Sequence, residues 1–294
     1  DWNTVTVTNM NSMFQSATNF NSAIDSWDVS NVLTMVDMFY SATSFNQSLN
    51  SWDVSSVTSI ESMFYAATAF NGNVSSWDTG SVTGMNNVFS TCPNFASDIG
   101  AWDTSSATTL NSMFQSATSF NHDISDWDIG SVTNTGYMFY GNSGFNNGGV
   151  ALDWADTTSV TNMAYMFRDA TIFNQAISGW TVTSVTTMRN MFNGAAAFNQ
   201  DISSWNVSSV VDFQWMFRSA TAFNQNLSSW NVSSATNLSH MFGYTSFDQD
   251  IGSWVVTNVT TIESMFEGNT AFDQDLSAWN IVALTNASSF LSGG

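Results

Sequence analysis

Residues 27–52 read Trp-Asp-Val-Ser-Asn-Val-Leu-Thr-Met-Val-Asp-Met-Phe-Tyr-Ser-Ala-Thr-Ser-Phe-Asn-Gln-Ser-Leu-Asn-Ser-Trp, and the sentence then starts again. Trp recurs at 2, 27, 52, 77, 102, 127, 154, 180, 205, 230, 254 and 279, and nearly every step is 25 residues. Two further rows keep the same phase. The Phe of a Met-Phe or Val-Phe pair stands at 14, 39, 64, 89, 114, 139, 167, 192, 217, 242 and 266, and a second Phe follows six residues later in most copies, as at 20, 45 and 70. Three rows in register leave self-similarity as the governing fact, so it takes precedence over the usual expectation of about two domains for 294 residues. Of the 13 Trp, only Trp215 lies off its row.

A unit of this size cannot enclose a core, and its apolar rows must be covered by neighbouring copies. The expected fold is therefore a leucine-rich-repeat-like solenoid. It forms a single domain over 1–294, with about twelve coils opening at the twelve in-phase Trp and an irregular insertion near 146–156. Within a unit, Val32, Met35, Met38, Phe39 and Ala42 follow steps of three and four, which predicts a short helical or 3-10 turn capped by Ser30-Asn31. Around Trp52 the pattern alternates, with Trp52 and Val54 inward and Ser51 and Asp53 outward, which predicts a short parallel strand. Stacked at strand spacing, such coils make a rod or arc about 55–60 Å long. Ala17, Ala42, Ala67, Ala117, Ala170, Ala195 and Ala220 fill one small slot, and Cys92 takes that slot in its own copy, so it reads as buried packing and not as a nucleophile.

The string Phe-Asn-Gln-Asp-Ile-Ser-Ser-Trp-Asn-Val-Ser-Ser-Val at 198–210, with its copies, resembles the repeat of BspA-type leucine-rich-repeat surface proteins, including the 25-residue version abundant in mycoplasma surface lipoproteins. The resemblance spans essentially the whole chain. It implies a solenoid displayed outside a cell, in a family associated with adhesion to matrix, host or neighbouring cells, and it carries no catalytic residues.

Composition narrows the partners. With 3 Arg, no Lys and 23 acidic residues the formal charge is −20, which excludes nucleic acid as a default partner. No apolar run is long enough to span a bilayer, so no membrane insertion is expected within this chain. Its opening at Asp1-Trp2-Asn3, without a charged leader or apolar run, reads as a mature or excised piece. His122 and His240 stand alone, Cys92 lies in a core slot and the carboxylates are arrayed instead of paired, so an enzyme is not expected.

Several rows could carry binding. Asn21, Asn46, Asn71, Asn121, Asn146, Asn174, Asn199 and Asn224 follow the second Phe and read as a structural hydrogen-bonding ladder. Asp28, Asp53, Asp78, Asp103 and Asp128 follow Trp in five consecutive copies. Carboxylates about 5 Å apart repel by roughly 0.8 kcal/mol in water, so the row is either well solvated or a calcium ladder. The outward Thr at 58, 83, 108 and their counterparts admit a minor ice-binding reading. All six Tyr lie off the core rows, and around the later ones gather the only positive charges. Tyr165 with Arg168, and Trp215 with Arg218, are three apart and expected to meet on the helical turn, with Arg189 and His240 in neighbouring coils. Trp, Tyr and Arg are the residues of interface hot spots, which makes these six the candidate contact surface. The expected function is an extracellular, cell-surface adhesion or recognition module for protein or glycan. The alternative is a filament or sheath subunit, since Asp1-Trp2 opens inside a repeat and the chain stops at Phe290-Leu291-Ser292-Gly293-Gly294 without a polar cap, leaving end-to-end stacking open.

Overall fold

A computed structural model describes residues 2–293; Asp1 and Gly294, the outermost residues of the expected span and of both terminal readings, lie outside the described residues. The chain is a repeat solenoid. Its coils are joined by parallel bridges from Asn9 to Thr34, Thr34 to Ser59, Ser59 to Gly84 and onward to Asn286, each linking residues about one repeat apart. The inward rows match the periodic apolar positions, and Val32, Met35, Met38, Phe39, Ala42 and Phe45 are all fully buried.

The helical turn does not form. Among the described residues the only helical segment is a 3-10 turn at Asn147–Gly149. Between Thr34 and Ala42 the amides are instead divided between two destinations. Those of Met35, Asp37, Phe39 and Ser41 donate forward to the carbonyls of Ser59, Glu61, Met63 and Tyr65 in the next coil, at 2.7–3.0 Å. Those of Met38, Tyr40 and Ala42 donate back to Met35, Asp37 and Phe39, closing three successive tight turns. Asp37 and Ser41 sit in the left-handed region at φ 57° and 55°, the third positions of the first and last of these turns, where Gly or Asn is the ordinary occupant. A helix needs every amide to bond four residues back, and a left-handed L-residue costs about 1–2 kcal/mol inside one. Here the forward bonds to the next coil offset that cost.

The strand expected at Trp52 is also absent, and parallel pairing falls at Thr34 and Ser59 instead. Trp52 and Val54 do point inward while Ser51 and Asp53 are exposed, so the alternation describes facing only. The reason is local: Trp52 N donates to Leu49 O and Val57 N to Val54 O, so the segment turns twice and has no straight run to pair. What ties this corner to its neighbour is the indole. Trp52 Nε1 donates to Ile24 O at 3.1 Å, Trp77 to Leu49 O at 2.9 Å and Trp102 to Val74 O at 3.0 Å, and the series continues to Trp279 and Ile251. The expected Ser30-Asn31 cap has no helix to cap; Ser30 donates from N and Oγ to Asp28 Oδ1 in a turn of its own.

The interior is aromatic. Phe39 and Phe45 of one coil stack at 4.0 Å, and Phe39 stacks on Phe64 of the next at 5.4 Å, each geometry adding about 0.5–1.5 kcal/mol beyond burial. Every coil depends on the next for its cover: Trp52 is 3% exposed, whereas Trp2 in the first coil is 64% exposed although it stacks on Trp27 at 5.5 Å. Cys92 is buried in the small slot with its thiol donating to Phe64 O at 2.8 Å, and burial pushes its pKa well above the usual thiol range. At the break in period, Asn147 stitches the extra residues down: its Nδ2 donates to the carbonyl of Ala151 at 3.0 Å and its Oδ1 accepts from Ile124 N at 2.9 Å.

Candidate functional site

The left-handed turns create two columns of outward side chains. In the first, Ser12, Asp37, Ser62, Asn87, Ser112, Tyr137, Tyr165, Asn190, Trp215, His240, Ser264 and Ser289 all have φ between 50° and 63°, with Asn190 covered by its neighbours. In the second, at Ser41 and its equivalents, stand Ala66, Gly141, Asp169 and Tyr244 among others. Ser, Asp and Asn tolerate this backbone through local hydrogen bonds, and Tyr or Trp does not gain from it. The aromatic side chains of the candidate surface are thus held by a backbone that presents them, and in one coil the residue three ahead, Arg168, lies beside its ring, that of Tyr165.

The contacts of this strip run mainly between coils. Tyr137 and Tyr165 stack at 4.4 Å and 6°, with Tyr140 edge-on to Tyr137 at 6.0 Å. Arg168 lies 5.4 Å from the Tyr140 ring and 5.8 Å from that of Tyr165. Arg189 lies 5.9 Å from Trp215, which meets His240 edge-on at 5.4 Å. Arg218 lies over Tyr244 at 4.8 Å, so the expected pairing of Trp215 with Arg218 is replaced. Without a helix, the neighbour of a side chain is the same column one coil away. Tyr244 donates to Glu267 Oε1 at 2.9 Å, and Glu267 Oε2 is 3.5 Å from His240 Nδ1 and 3.8 Å from Arg218 Nη2. That hydrogen bond to a carboxylate raises the Tyr244 pKa, while burial, followed by the Tyr165 hydroxyl, raises that of Tyr137.

The polar accounting of the strip is one-sided. Arg189 Nε, Asn190 Nδ2, Trp215 Nε1 and Arg218 Nε are buried and make no hydrogen bond. Arg168 Nε and His240 Nδ1 also make none, although Asp169 Oδ2 at 3.3 Å and Glu267 Oε2 lie within ion-pair range at unsuitable angles. Buried donors are normally paired, and an unpaired group costs about 1–3 kcal/mol. The sequence did not single out Asn190 or Glu267. Asn190 is legible afterwards by adding the repeat length to Tyr165, which places it in the aromatic column between Tyr165 and Trp215.

The other rows do different work. Asn46 N donates to Asn21 Oδ1 at 2.9 Å, Asn71 N to Asn46 Oδ1 at 2.7 Å, and the same bond recurs from Asn146 to Asn121, Asn174 to Asn146, Asn199 to Asn174 and Asn224 to Asn199. Each of Asp28, Asp53, Asp78, Asp103 and Asp128 accepts from the amide two residues on, at 2.9–3.2 Å. These bonds hold the carboxyls of Asp28 and Asp103 below their ordinary value, led by the Ser30 hydroxyl in the first and the Ser105 amide in the second. Among the described residues no three His, Cys, Asp or Glu side chains come close enough to share a metal ion, so the Asp row is not brought together as a calcium donor set. Thr58 Oγ1 donates to Leu33 O at 3.0 Å and Thr83 Oγ1 to Thr58 O at 3.2 Å, which commits that hydroxyl row to the neighbouring coil. His122 Nε2 lies 2.8 Å from Ala96 O, one coil before Tyr137 and in a different row.

The fold and its rows define a repeat solenoid with one aromatic and cationic face. The chain belongs to the DUF285 family, described as Mycoplasma protein of unknown function, whose model matches residues 1–83, 70–155, 149–246 and 215–294. No curated protein matches it. Among solved structures it is similar to a leucine-rich repeat protein from Bacteroides ovatus, at 13% identity over 95% of this chain and 78% of the other, with a TM-score of 0.39. It is also similar to a chain of the TLR13–ssRNA13 complex, at 11% identity over 78% of this chain and 35% of the other, TM-score 0.33. A chain of the Drosophila Toll–Spatzle complex matches at 11% identity over 78% of this chain and 41% of the other, TM-score 0.20.

Proposed function

We propose that the protein is a non-enzymatic recognition module of the cell exterior, a BspA-type surface repeat that attaches its cell to a partner through the strip formed by Tyr165, Arg168, Arg189, Trp215, Arg218 and His240. One observation carries this reading. All three Arg of a chain with formal charge −20 lie against surface aromatics, with buried donors beside them left unpaired. Solenoid packing does not call for these residues, because the inward rows close without them. Aromatic and Arg side chains that already share contacts lose little freedom on binding and form the hot spots of interfaces.

The test is attachment of the purified chain to host-type cells and matrix, read by flow cytometry, alongside a Trp215→Asn, Arg218→Gln variant. The expected result is attachment by the parent and at least about a tenfold loss in the variant. Equal attachment by both removes the strip from the function. Protease shaving of intact producing cells, with loss of the chain from the cell fraction, tests the exterior location.

A further inference from the structure

We propose that the strip from Tyr137 to Glu267 binds an acidic glycan, a sugar chain carrying spaced carboxylates, taken by Arg168, Arg189 and Arg218 with Asn190 between them. The inference rests on the recognition reading above and names the chemistry of its ligand.

The backbone isolates the residues that are there for something other than folding. In the first left-handed column, eight positions hold Ser, Asp or Asn, residues that suit a positive φ. The other four hold Tyr137, Tyr165 and Trp215, at φ 58°, 63° and 59°, and His240, at φ 56°, a residue type that enters this region more readily. Bulky side chains are uncommon there, and they persist where the surrounding structure and a function hold them. The one small residue inside that aromatic run is Asn190, fully buried, its Nδ2 unpaired while its Oδ1 accepts from Asn193 Nδ2 at 2.7 Å. A small buried amide without an acceptor therefore lies beneath the run, covered by the larger side chains around it.

Glu267 and Asp169 supply carboxylates beside Arg218 and Arg168, but the buried donors of the strip are left without acceptors. Every unpaired buried side-chain nitrogen of Arg189, Asn190, Trp215 and Arg218 is a donor, and the guanidinium groups match carboxylates two bonds at a time. A ligand that satisfies them has many oxygens and some negative charge. It cannot be densely charged, since a chain at −20 repels a polyanion at long range and offers only three Arg against it. An acidic peptide fits less well. Peptides dock on solenoids and sheets by pairing free backbone groups, and here the amides around Tyr165 and Trp215 are already spent, donating to Arg189 O at 2.8 Å and Ser239 O at 2.9 Å. Sugars need no backbone partner: carboxylate and hydroxyl oxygens accept from the guanidinium groups, and C–H bonds pack on aromatic ring faces. Arg168 and Arg218 stand in one column two coils apart, about 10 Å at parallel strand spacing, which suits carboxylates spaced along an extended chain and not on adjacent atoms.

The full chain is titrated by calorimetry with hyaluronan and polygalacturonate oligosaccharides, their carboxyl-reduced forms, heparin fragments, chitin oligosaccharides and a polyglutamate peptide. Variants are Trp215→Asn, Arg189→Gln and Arg218→Gln, with Asp103→Asn as a control on the opposite row. Trp215→Asn installs the residue that suits the left-handed backbone, so it keeps or raises the unfolding midpoint, and its loss of binding is not a loss of fold. The expected result is binding of the carboxylated glycans, weakened about tenfold or more by carboxyl reduction and by each strip variant, with Asp103→Asn unchanged. Absence of binding by every carboxylated glycan at millimolar concentration overturns the proposal, as does binding indifferent to the strip variants, or a preference for polyglutamate or heparin. Cell attachment that depends on the strip while no carboxylated glycan binds defeats the glycan and leaves the recognition reading standing; attachment indifferent to the strip defeats both.

Discussion

The coils before the break in period and those after it share one backbone and spend their outward positions differently. In the row after Trp, the earlier coils carry Asp28, Asp53, Asp78, Asp103 and Asp128, whereas Asn206 and Asn231 hold the same place later on. Asn206 Oδ1 accepts from Ser208 N at 3.2 Å and Asn231 Oδ1 from Ser233 N at 3.1 Å, the same turn that the Asp residues make. In the left-handed column the contrast reverses: Ser12, Asp37, Ser62, Asn87 and Ser112 come first, the change begins at Tyr137 in the coil that carries the break, and Tyr165, Trp215 and His240 follow among Asn190, Ser264 and Ser289. Most coils place a short acceptor in one row, which Ala155, Thr181 and Val255 show to be dispensable, and the other row favours a residue at ease with positive φ. Charge in the first and aromaticity in the second are additions, and they accumulate in opposite halves.

The sharpest way to break that comparison lies within a single coil, between two tryptophans. Trp205 is 3% exposed and donates to Ile177 O at 3.2 Å, so Trp205→Ala is expected to lower stability by about 3–5 kcal/mol in urea unfolding. Trp215→Ala removes a surface ring from a costly backbone position and is expected to change it by less than about 1 kcal/mol. Similar losses from the two would mean that the aromatic strip is part of the core.

A second experiment moves the later pattern into the earlier half. Ser62→Tyr puts a ring on the left-handed column between Asp37 and Asn87, where no Arg waits for it, and is expected to cost about 1–2 kcal/mol, read as a lower thermal midpoint. An unchanged midpoint would show that the backbone tolerates rings everywhere and that the four natural ones need no function to explain them.

The smallest effect concerns acid and salt. Carboxyls of Asp28, Asp103, Asp123, Asp156, Asp201, Asp248 and Asp275 are held below their ordinary value of 3.8, mostly by the amide or hydroxyl two residues on. Their contribution is present above that value and is lost as pH falls through the lowered ones, so stability declines below about pH 4. Asp37, raised by burial, works the other way and offsets part of the loss. Asp103→Asn keeps the turn, as Asn206 does, and is expected to flatten the acid limb with little change at neutral pH; an Asp103→Asn profile that overlays the parent would remove that carboxyl from the acid response. Added salt screens the Asp row and is expected to raise the unfolding free energy of the parent by no more than about a few tenths of a kcal/mol.

The periodicity makes the coil length, the inward rows and the Trp, Phe and Ala slots readable, because burial follows from which residues are apolar and how often they recur. It does not distinguish a helical turn from three alternating tight turns, since both carry Met35, Met38, Phe39 and Ala42 to the inside. The discriminating signal was polar: Asp37 and Ser41, then Ser62 and Ala66, then Asn87 and Thr91 stand four apart and in phase, at the positions that turn left-handed. The strand at Trp52 fails for a related reason, as alternation in facing says nothing about which backbone groups are free to pair. Within the strip, Arg218 finds Tyr244 and not Trp215 because proximity passes between coils, and Asn190 escaped attention as an ordinary amide until its column showed what surrounds it.

Each in-phase indole from Trp52 to Trp279 ties its own coil to a carbonyl of the preceding turn of the solenoid, and the alternate amides tie it to the coil after. Pulled along its axis, such an object has its fastenings in series. A coil at the loaded end lets go as a unit, releases roughly 80–90 Å of slack for its 25 residues, and leaves the next coil intact to bear the load. A rod of this kind lengthens stepwise when pulled instead of snapping, and the coil from Trp127 to Trp154, 27 residues instead of 25, would give the longest step in a force–extension trace.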